Sequence, residues 1–197
     1  MLAMLIPALI LSFSTALTPC PLPDGYMNVT SYTESGVTYT LAVDNFYYIK
    51  LDTLHFYYSV ENNSADTVRF DFTTQEHFAF RVYPDTCETF CQEGCLDSAL
   101  YYEPSIVNYT PSSIVLPPGD CISYTSYWHI GTKVTPGGNP TPGKYRVFGG
   151  LWDDGFDQCF GHIIEPSELV VEIIIEGIPV ETEKTTWGEI KSRYKSN

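Results

Sequence analysis

The sequence predicts an all-β protein built as an antiparallel β-sandwich, and three observations support this prediction. First, apolar and polar residues alternate in about seven short runs, which is the pattern of strands with one buried face. Second, these runs are rich in Tyr, Phe, Val and Ile and are separated by turn residues. Third, helical periodicity is confined to residues 187–194. Many short strands with frequent turns are typical of a sandwich fold.

The chain begins with the pattern of a secretory signal. The first residues are apolar, and Ser14 and Ala16 form the small-x-small pattern at which such signals are cleaved. This run is too short to span a bilayer, and no later stretch reaches the required length. We therefore expect an exported protein, secreted or held at the cell surface or in the periplasm. The residues before Cys20 are similar to a bacterial lipobox, but Pro19 replaces the usual small residue and argues against lipid anchoring through Cys20.

The predicted strands follow one another from residue 37 onwards. They cover residues 37–43, 54–60, 68–72, 78–82, 122–128, 144–151 and 169–175. A short polar turn at residues 61–66 joins the second run to the third, and this arrangement predicts a hairpin. The residues that we expect to face the core are Leu54, Phe56, Tyr58, Phe70, Phe80, Trp128, Tyr145 and Val147.

Segments rich in Pro and Gly mark the limits of the strands. Pro117, Pro118 and Gly119 come directly before the strand that ends at Trp128, and they define its start. Residues 135–143 contain three prolines and three glycines, so they must link the strands on either side. Between residues 84 and 118 no sustained period is present, and we expect one long irregular loop there.

Six cysteines, an even number in a chain expected to be exported, indicate disulfides. They are Cys20, Cys87, Cys91, Cys95, Cys121 and Cys159. The sequence leaves their pairing open, and Cys121 with Cys159 is our guess for one bridge because both adjoin core strands. Three cysteines lie in the long loop, so at least one of them must pair outside it. A metal–thiolate site completed by Cys159 or His162 is the alternative for these three.

Charge and motifs exclude several functional classes. The formal net charge of −14 argues against nucleic acid or an anionic membrane as a partner, because both favour clustered Lys and Arg. No H-E-x-x-H or G-x-S-x-G motif is present, and the four histidines are scattered, so we expect neither an enzyme nor a cofactor. Asp153, Asp154 and Asp157 form an acidic turn that could bind calcium, with a solvated turn as the simpler interpretation.

The long loop also supplies the candidate binding residues. Tyr101, Tyr102 and Tyr109 lie in it, and tyrosine is well suited to partner contacts because its ring is apolar and its hydroxyl is polar. Long loops on a rigid scaffold are free to recognise a partner, whereas sandwich faces are occupied by packing. We therefore expect any protein-binding surface to lie between residues 84 and 118.

Three segments occur in order over about residues 53–151. They read FYYSVENNSADTVRFDFTTQEHFAFRVY, LPPGDCISYTSYWHI and GKYRVFGGL. Together they resemble the BsuPI family, the domain named after an intracellular proteinase inhibitor. The resemblance implies an immunoglobulin-like sandwich and proteinase inhibition. The matching residues are those of turns and core, so the resemblance assigns no inhibitory residue.

The sequence thus divides into a signal peptide (1–16), an exposed leader (17–36), one β-sandwich domain (37–180) and a basic tail (181–197). The basic residues of the tail region are Lys184, Lys191, Arg193 and Lys195. We expect an exported, non-enzymatic protein-binding module, with a serine proteinase as the partner that the resemblance implies. A structural or adhesive cell-surface domain without inhibitory activity is the alternative.

Overall fold

The computed structural model describes residues 20–88, 99–103, 108–131, 139–153, 162–163 and 168–177. In this part of the chain all regular structure is β, which confirms the predicted fold class. The strands are β1 (Asn28–Glu34), β2 (Val37–Val43), β3 (Tyr47–Ile49), β4 (Thr53–Asn62), β5 (Val68–Phe72), β6 (Phe78–Pro84), β7 (Tyr101–Glu103), β8 (Ser112–Leu116), β9 (Cys121–His129), β10 (Gly143–Asp153), β11 (His162–Ile163) and β12 (Leu169–Glu176). Across the described ranges, no helix is long and apolar enough to span a bilayer.

The strands form two large sheets and one small one. The first sheet has the order β1-β2-β4-β9 and is antiparallel throughout. The second has the order β3-β12-β10-β6-β7, with β11 paired to β10, and its only parallel pair among the described strands is β3 with β12. Strands β5 and β8 form the small sheet. The result is a β-sandwich with an additional two-stranded sheet, whose Phe72, Ile114 and Leu116 join the core.

The core lies between the two large sheets. The alternation of side chains along a strand explains this position, because the core-facing side chains of β2, β4, β10 and β12 occupy every second position. Phe56 of β4 stacks on Phe80 of β6 with ring centroids 5.0 Å apart. The predicted core residues are all buried except Phe70, which is partly buried and packs against the core from the small sheet.

A second, smaller cluster lies on the outer face of the second sheet. Tyr83, Phe148 and Trp152 are buried there beneath the two ends of the long loop, represented by Cys87 and Ala99. The Arg146 guanidinium donates a hydrogen bond to the Cys87 carbonyl at 3.1 Å and fastens the start of the loop to β10. The loop therefore covers one face of the sandwich along its described ends.

Two expectations about connections were wrong. Strand β4 does not form a hairpin with β5, since β4 pairs with β2 and β9 while β5 pairs with β8. The turn that redirects the chain depends on Asn62, whose buried side chain donates to the carbonyls of Leu116 and Asp66 at 2.7 and 2.8 Å. The second error is that the long loop is not irregular throughout, because it contains β7 and β8.

The N-terminal segment is more ordered than the exposed leader that we expected. It contains β1, a largely exposed edge strand that pairs with β2 through a two-residue turn. Both turn residues have positive φ, 51° at Ser35 and 80° at Gly36, as a tight hairpin turn of this twist requires. Asn28 of β1 also reaches across the sandwich and donates to the Glu172 carbonyl of β12 at 2.6 Å.

One disulfide joins Cys20 to Cys121, which ties this segment to the start of β9. The guess that Cys121 pairs with Cys159 was therefore wrong, because the segment before β1 brings Cys20 within bonding distance of Cys121. A sulfur held in a disulfide cannot carry a lipid, so the bridge also argues against anchoring through Cys20. Cys87 is also disulfide-bonded. Cys91, Cys95 and Cys159 lie outside the described residues.

Candidate interaction surface

The three tyrosines of the predicted binding loop do not form one surface. Tyr101 is buried, and its ring stacks on Phe56 in the core, so its assignment as a binding residue was wrong. Tyr102 is partly exposed on β7, and Tyr109 is 71% exposed in the segment between β7 and β8. Only these two of the three predicted residues are accessible to a partner.

The buried Tyr101 side chain has a structural role at the edge of the sandwich. Its hydroxyl donates to the Glu103 carboxylate and lies 3.0 Å from the Ser126 hydroxyl, so it links the edge strand β7 to the edge strand β9. Burial and the hydrogen bond to Glu103 raise the pKa of Tyr101 well above its usual range. The phenol thus stays protonated and donates to Glu103 of its own strand, while Ser126 of β9 donates to the same carboxylate and makes the link between the two sheets.

An exposed apolar segment was not predicted, and it lies between β2 and β4. Residues 44–52, which we call the apolar loop, read DNFYYIKLD and include β3. Its large exposed side chains are Phe46, Tyr47, Ile49 and Leu51. The available sequence signal was a run of apolar residues at adjacent positions, which fits neither a strand with one buried face nor a polar turn.

Tyr48 anchors the middle of the apolar loop. Its side chain points inward and is buried, while its hydroxyl donates to the Asp44 carboxylate at 2.7 Å and accepts the Asn45 N–H at 2.8 Å. The same Asp44 oxygen accepts the N–H of His55 at 3.0 Å, which fastens the start of the loop to β4. Burial, followed by the Asp44 contact, raises the pKa of Tyr48 far above its usual range, so this donor persists at every physiological pH.

Side chains at both ends of the loop also satisfy its backbone. The Asn45 side-chain oxygen accepts the Phe46 N–H at 2.8 Å. At the other end, the Asp52 carboxylate accepts the Ile49 N–H at 2.7 Å, and the Asp52 N–H donates to the Ile49 carbonyl at 3.1 Å. Asn and Asp commonly stabilise turns in this way. The conformation of the loop is therefore specified locally.

The apolar loop is also tied to both large sheets. On one side β3 pairs with the end of β12, and Ile174 donates to the Phe46 carbonyl at 2.9 Å. On the other side the Leu51 N–H donates to the Ile130 carbonyl, just after β9, at 3.0 Å, and the Ile130 N–H donates to the Asp52 carbonyl at 2.9 Å. These bonds hold the loop as a bridge between the sheets.

Leu51 has an unusual backbone conformation. Its φ is 81°, a left-handed value that costs a residue other than Gly about 1–2 kcal/mol. Its side chain is 65% exposed, so burial of the isobutyl group offsets little of this cost. Such strain persists only where surrounding bonds fix the backbone, and the pairing with Ile130 supplies them here.

The neighbouring surface combines apolar and acidic groups. In the parallel pairing, Tyr47 lies beside the half-buried Ile174, and Ile49 lies beside the exposed Glu176. The alternation of β12 places Glu172 on the same outward face as Ile174, and its side chain is largely exposed. The apolar loop is therefore bordered on β12 by the Glu176 carboxylate, whereas Glu172 is paired with Arg146 across 3.6 Å.

The described residues offer little for catalysis or metal binding. No group of three or more His, Cys, Asp or Glu in them is arranged to hold a metal ion. A serine–histidine pair is present, with His77 Nε2 2.7 Å from the Ser112 hydroxyl. That hydroxyl donates to the Thr74 carbonyl, so its proton is directed away from the imidazole. The pair therefore joins the start of β8 to the residue before β6 and lacks the geometry of a nucleophile with its base. Asp154 and Asp157 of the acidic turn lie outside the described ranges.

Comparisons with known proteins give no functional assignment. No family model matches the chain, and no curated protein matches it. Among solved structures, the chain is similar to a β-glucosidase from Erythrobacter marinus, with a TM-score of 0.38, 12% identity, and coverage of 71% of this chain and 15% of that one. A β-glucosidase from Listeria innocua in complex with glucose matches with a TM-score of 0.35 and 15% identity, and the match covers 74% of this chain and 17% of that one. The CARDB domain of the PF1109 protein from Pyrococcus furiosus matches with a TM-score of 0.35 and 11% identity, and the match covers 75% of this chain and 100% of that one. The chain thus spans about a sixth of the length of these glucosidases.

Proposed function

We propose that this protein is an exported, non-enzymatic protein-binding module that inhibits a proteinase, and that the apolar loop contacts the partner. The observation that carries the proposal is the combination of exposure and rigidity in residues 44–52. Four large apolar side chains project from a segment whose backbone is held by Asp44, Asn45, Tyr48 and Asp52. The proposal therefore moves the binding surface from residues 84–118 to this loop.

Exposure of this kind favours a binding role. Single exposed apolar residues are common, but several on one short loop are typical of interaction sites. Aromatic residues such as Phe46 and Tyr47 also dominate the energetics of protein interfaces. A loop used only as a connection would gain solubility from polar residues at these positions.

Rigidity favours tight binding for a separate reason. Ordering a flexible loop on association costs conformational entropy, roughly 0.5–1.5 kcal/mol for each immobilised side chain in addition to the backbone. The bonds from Tyr48 to Asp44 and from Leu51 to Ile130 fix the loop before binding. Inhibitors need this property, since a mobile loop inside a proteinase cleft would be cleaved.

Export is the third component of the proposal. The Cys20–Cys121 disulfide is consistent with an oxidising compartment, and the N-terminal sequence has the pattern of a secretory signal. An exported inhibitor would meet proteinases outside the cytosol. Its formal charge of −14 also favours a partner with a basic surface.

The proposal is tested by titrating purified protein against chymotrypsin, subtilisin and trypsin and measuring the remaining peptide hydrolysis. We expect sub-micromolar inhibition of at least one of the first two enzymes. Tyr47→Ala should weaken it at least tenfold, while Tyr127→Ala should not, and the two tyrosines are matched because each is 59% exposed. Tyr109→Ala tests the long loop in the same assay. Absence of inhibition of all three enzymes would reject the proposal and favour a structural or adhesive role.

A further inference from the structure

Leu51 differs from every other described residue with positive φ. The others are Ser35 and the glycines Gly25, Gly36, Gly119 and Gly131, which suit turns. Leucine is poorly suited to this backbone because its Cβ crowds the following carbonyl group. A glycine at position 51 would relieve that crowding without emptying the core, since the leucine side chain is mostly exposed.

We infer that Leu51 is the residue that enters an apolar pocket of the partner protein and so determines partner specificity. The inference rests on the proposed function and goes one step beyond it, from the loop to a single side chain. Its support is the juxtaposition of a strained backbone, an exposed isobutyl group and hydrogen bonds on both sides of the residue. The stability of the fold does not account for a leucine at this position, because its backbone is strained and most of its side chain is exposed. Insertion into a pocket of the partner accounts for both its size and its exposure.

The conformation of the loop indicates how the contact is made. A proteinase holds its substrates in an extended conformation with negative φ, and Leu51 with φ of 81° departs from that geometry. Leu51 would therefore fill an apolar pocket as a wedge, with its peptide bonds displaced from the position of a scissile bond. This geometry predicts that the loop blocks the cleft and is not cut there.

Charge defines the border of the complementary pocket. Glu176 lies beside Ile49 on β12 and is exposed, whereas Glu172 is paired with Arg146 across 3.6 Å, so the net charge of the chain and Glu176 set the charge that the partner meets. Like charges across an interface are strongly unfavourable, whereas opposite charges speed association. The partner that fits is thus a protein with an apolar pocket surrounded by Lys or Arg. A second copy of this chain fits poorly, because each copy carries a formal charge of −14.

The test compares the wild type, Leu51→Gly and Leu51→Lys against chymotrypsin, which has an apolar specificity pocket, and trypsin, which has an acidic one. We expect Leu51→Gly to inhibit chymotrypsin at least tenfold less well while melting a few degrees higher, because strain is released. Leu51→Lys should transfer the preference from chymotrypsin to trypsin. Mass spectrometry should find the chain intact at residues 50–52 after prolonged incubation.

Each contrary result has a definite meaning. If the wild type inhibits chymotrypsin or subtilisin and Leu51→Gly inhibits the same enzyme equally, this inference is overturned while the proposed function stands. If the wild type inhibits neither chymotrypsin nor trypsin, and also spares subtilisin, the proposed function fails and the inference fails with it. A wild type that sediments as a dimer and becomes monomeric as Leu51→Asp would assign the loop to self-association and overturn the inference.

The basic tail is the remaining competitor for the apolar loop, because it follows β12 and carries charges opposite to Glu176. Lys191→Ala combined with Arg193→Ala in the full chain tests it. We expect the inhibition constant for chymotrypsin to stay within twofold of the wild-type value. A tenfold tighter inhibition would support the assignment to an outside partner and show in addition that the tail covers the loop in the free protein. A tenfold weaker inhibition would assign the contact to the tail and overturn the inference.

Discussion

Tyr48 and Asp44 form the fastening point of the apolar loop, with the Tyr48 hydroxyl donating to the Asp44 carboxylate across 2.7 Å. The phenol is buried, and it also accepts the N–H of Asn45, so one side chain orients both an acidic group and the backbone beside it. His55 of β4 donates to the same carboxylate oxygen. Loop geometry and strand position are therefore set by one hydrogen-bonding unit.

Tyr48→Phe should destabilise the protein and loosen the loop. The substitution keeps the buried ring but leaves the Asn45 N–H without the hydroxyl, which should lower the free energy of unfolding by about 1–2 kcal/mol. Inhibition should weaken in parallel because the loop would be ordered only on binding. Urea denaturation and proteinase titration measure the two effects. Tyr127→Phe, which removes a hydroxyl from an exposed ring, should change neither, and an equal loss there would contradict the role assigned to Tyr48.

The Cys20–Cys121 disulfide should contribute a large part of the stability. It closes a loop between residues separated by 101 positions. In the chain-entropy model a loop of this length corresponds to about 4–5 kcal/mol. We expect the double variant Cys20→Ser with Cys121→Ser to unfold at a clearly lower urea concentration than the wild type. A midpoint within error of the wild-type value would mean that the segment before β1 is held by other contacts.

Gly149 allows the two large sheets to approach each other. A Cβ atom at this position would lie 2.7 Å from Leu41 Cδ1 and 3.2 Å from Phe80 Cδ1. Gly149→Ala should therefore lower the free energy of unfolding by about 1–3 kcal/mol through overpacking. Gly143 is a matched control in the same strand, because a Cβ there would meet no atom within 4 Å. If Gly143→Ala proved as harmful as Gly149→Ala, close packing would not be the cause.

Alternation made most of the sandwich predictable. Strand β12 buries every second residue, so its inward face could be assigned from Leu169 and Val171 without knowledge of its partners. In β4 the inward face could be assigned from Leu54 and Phe56, but the burial of Tyr57 and Ser59 on the opposite face could not. Which strands pair was harder to predict, because the partner of β5 depends on a hydrogen bond from the Asn62 side chain to a carbonyl 54 positions away. Local patterns carry no information about contacts at such a separation.

The candidate surface was missed for a related reason. Tyr101 belongs to a strand of three residues, which is too short to show a period, so its sequence pattern is that of a loop residue. In the apolar loop the apolar side chains occupy adjacent positions, and only the inward turn of Tyr48 shows that its neighbours face solvent. The positive φ of Leu51 leaves no trace in the sequence, since leucine does not normally signal a left-handed residue.

His77 should make stability depend on pH below neutrality. Burial lowers its pKa from the usual 6.5, and the neighbouring Glu76 opposes this shift only in part. The imidazole packs against the Phe72 ring in a tilted arrangement, with centroids 4.6 Å apart, and is hydrogen-bonded to Ser112. The folded state therefore holds the neutral form more strongly than the unfolded chain does.

The sign of the effect follows from proton binding. Between the lowered pKa of folded His77 and 6.5, the unfolded chain binds more protons, so the free energy of unfolding falls as pH falls through this window. We expect the wild type to lose stability from pH 7 to pH 5.5 more steeply than His77→Gln, which keeps a polar side chain near Ser112 but does not titrate. Urea denaturation at several pH values measures both slopes. Equal slopes for the two proteins would show that folded His77 titrates like an exposed histidine.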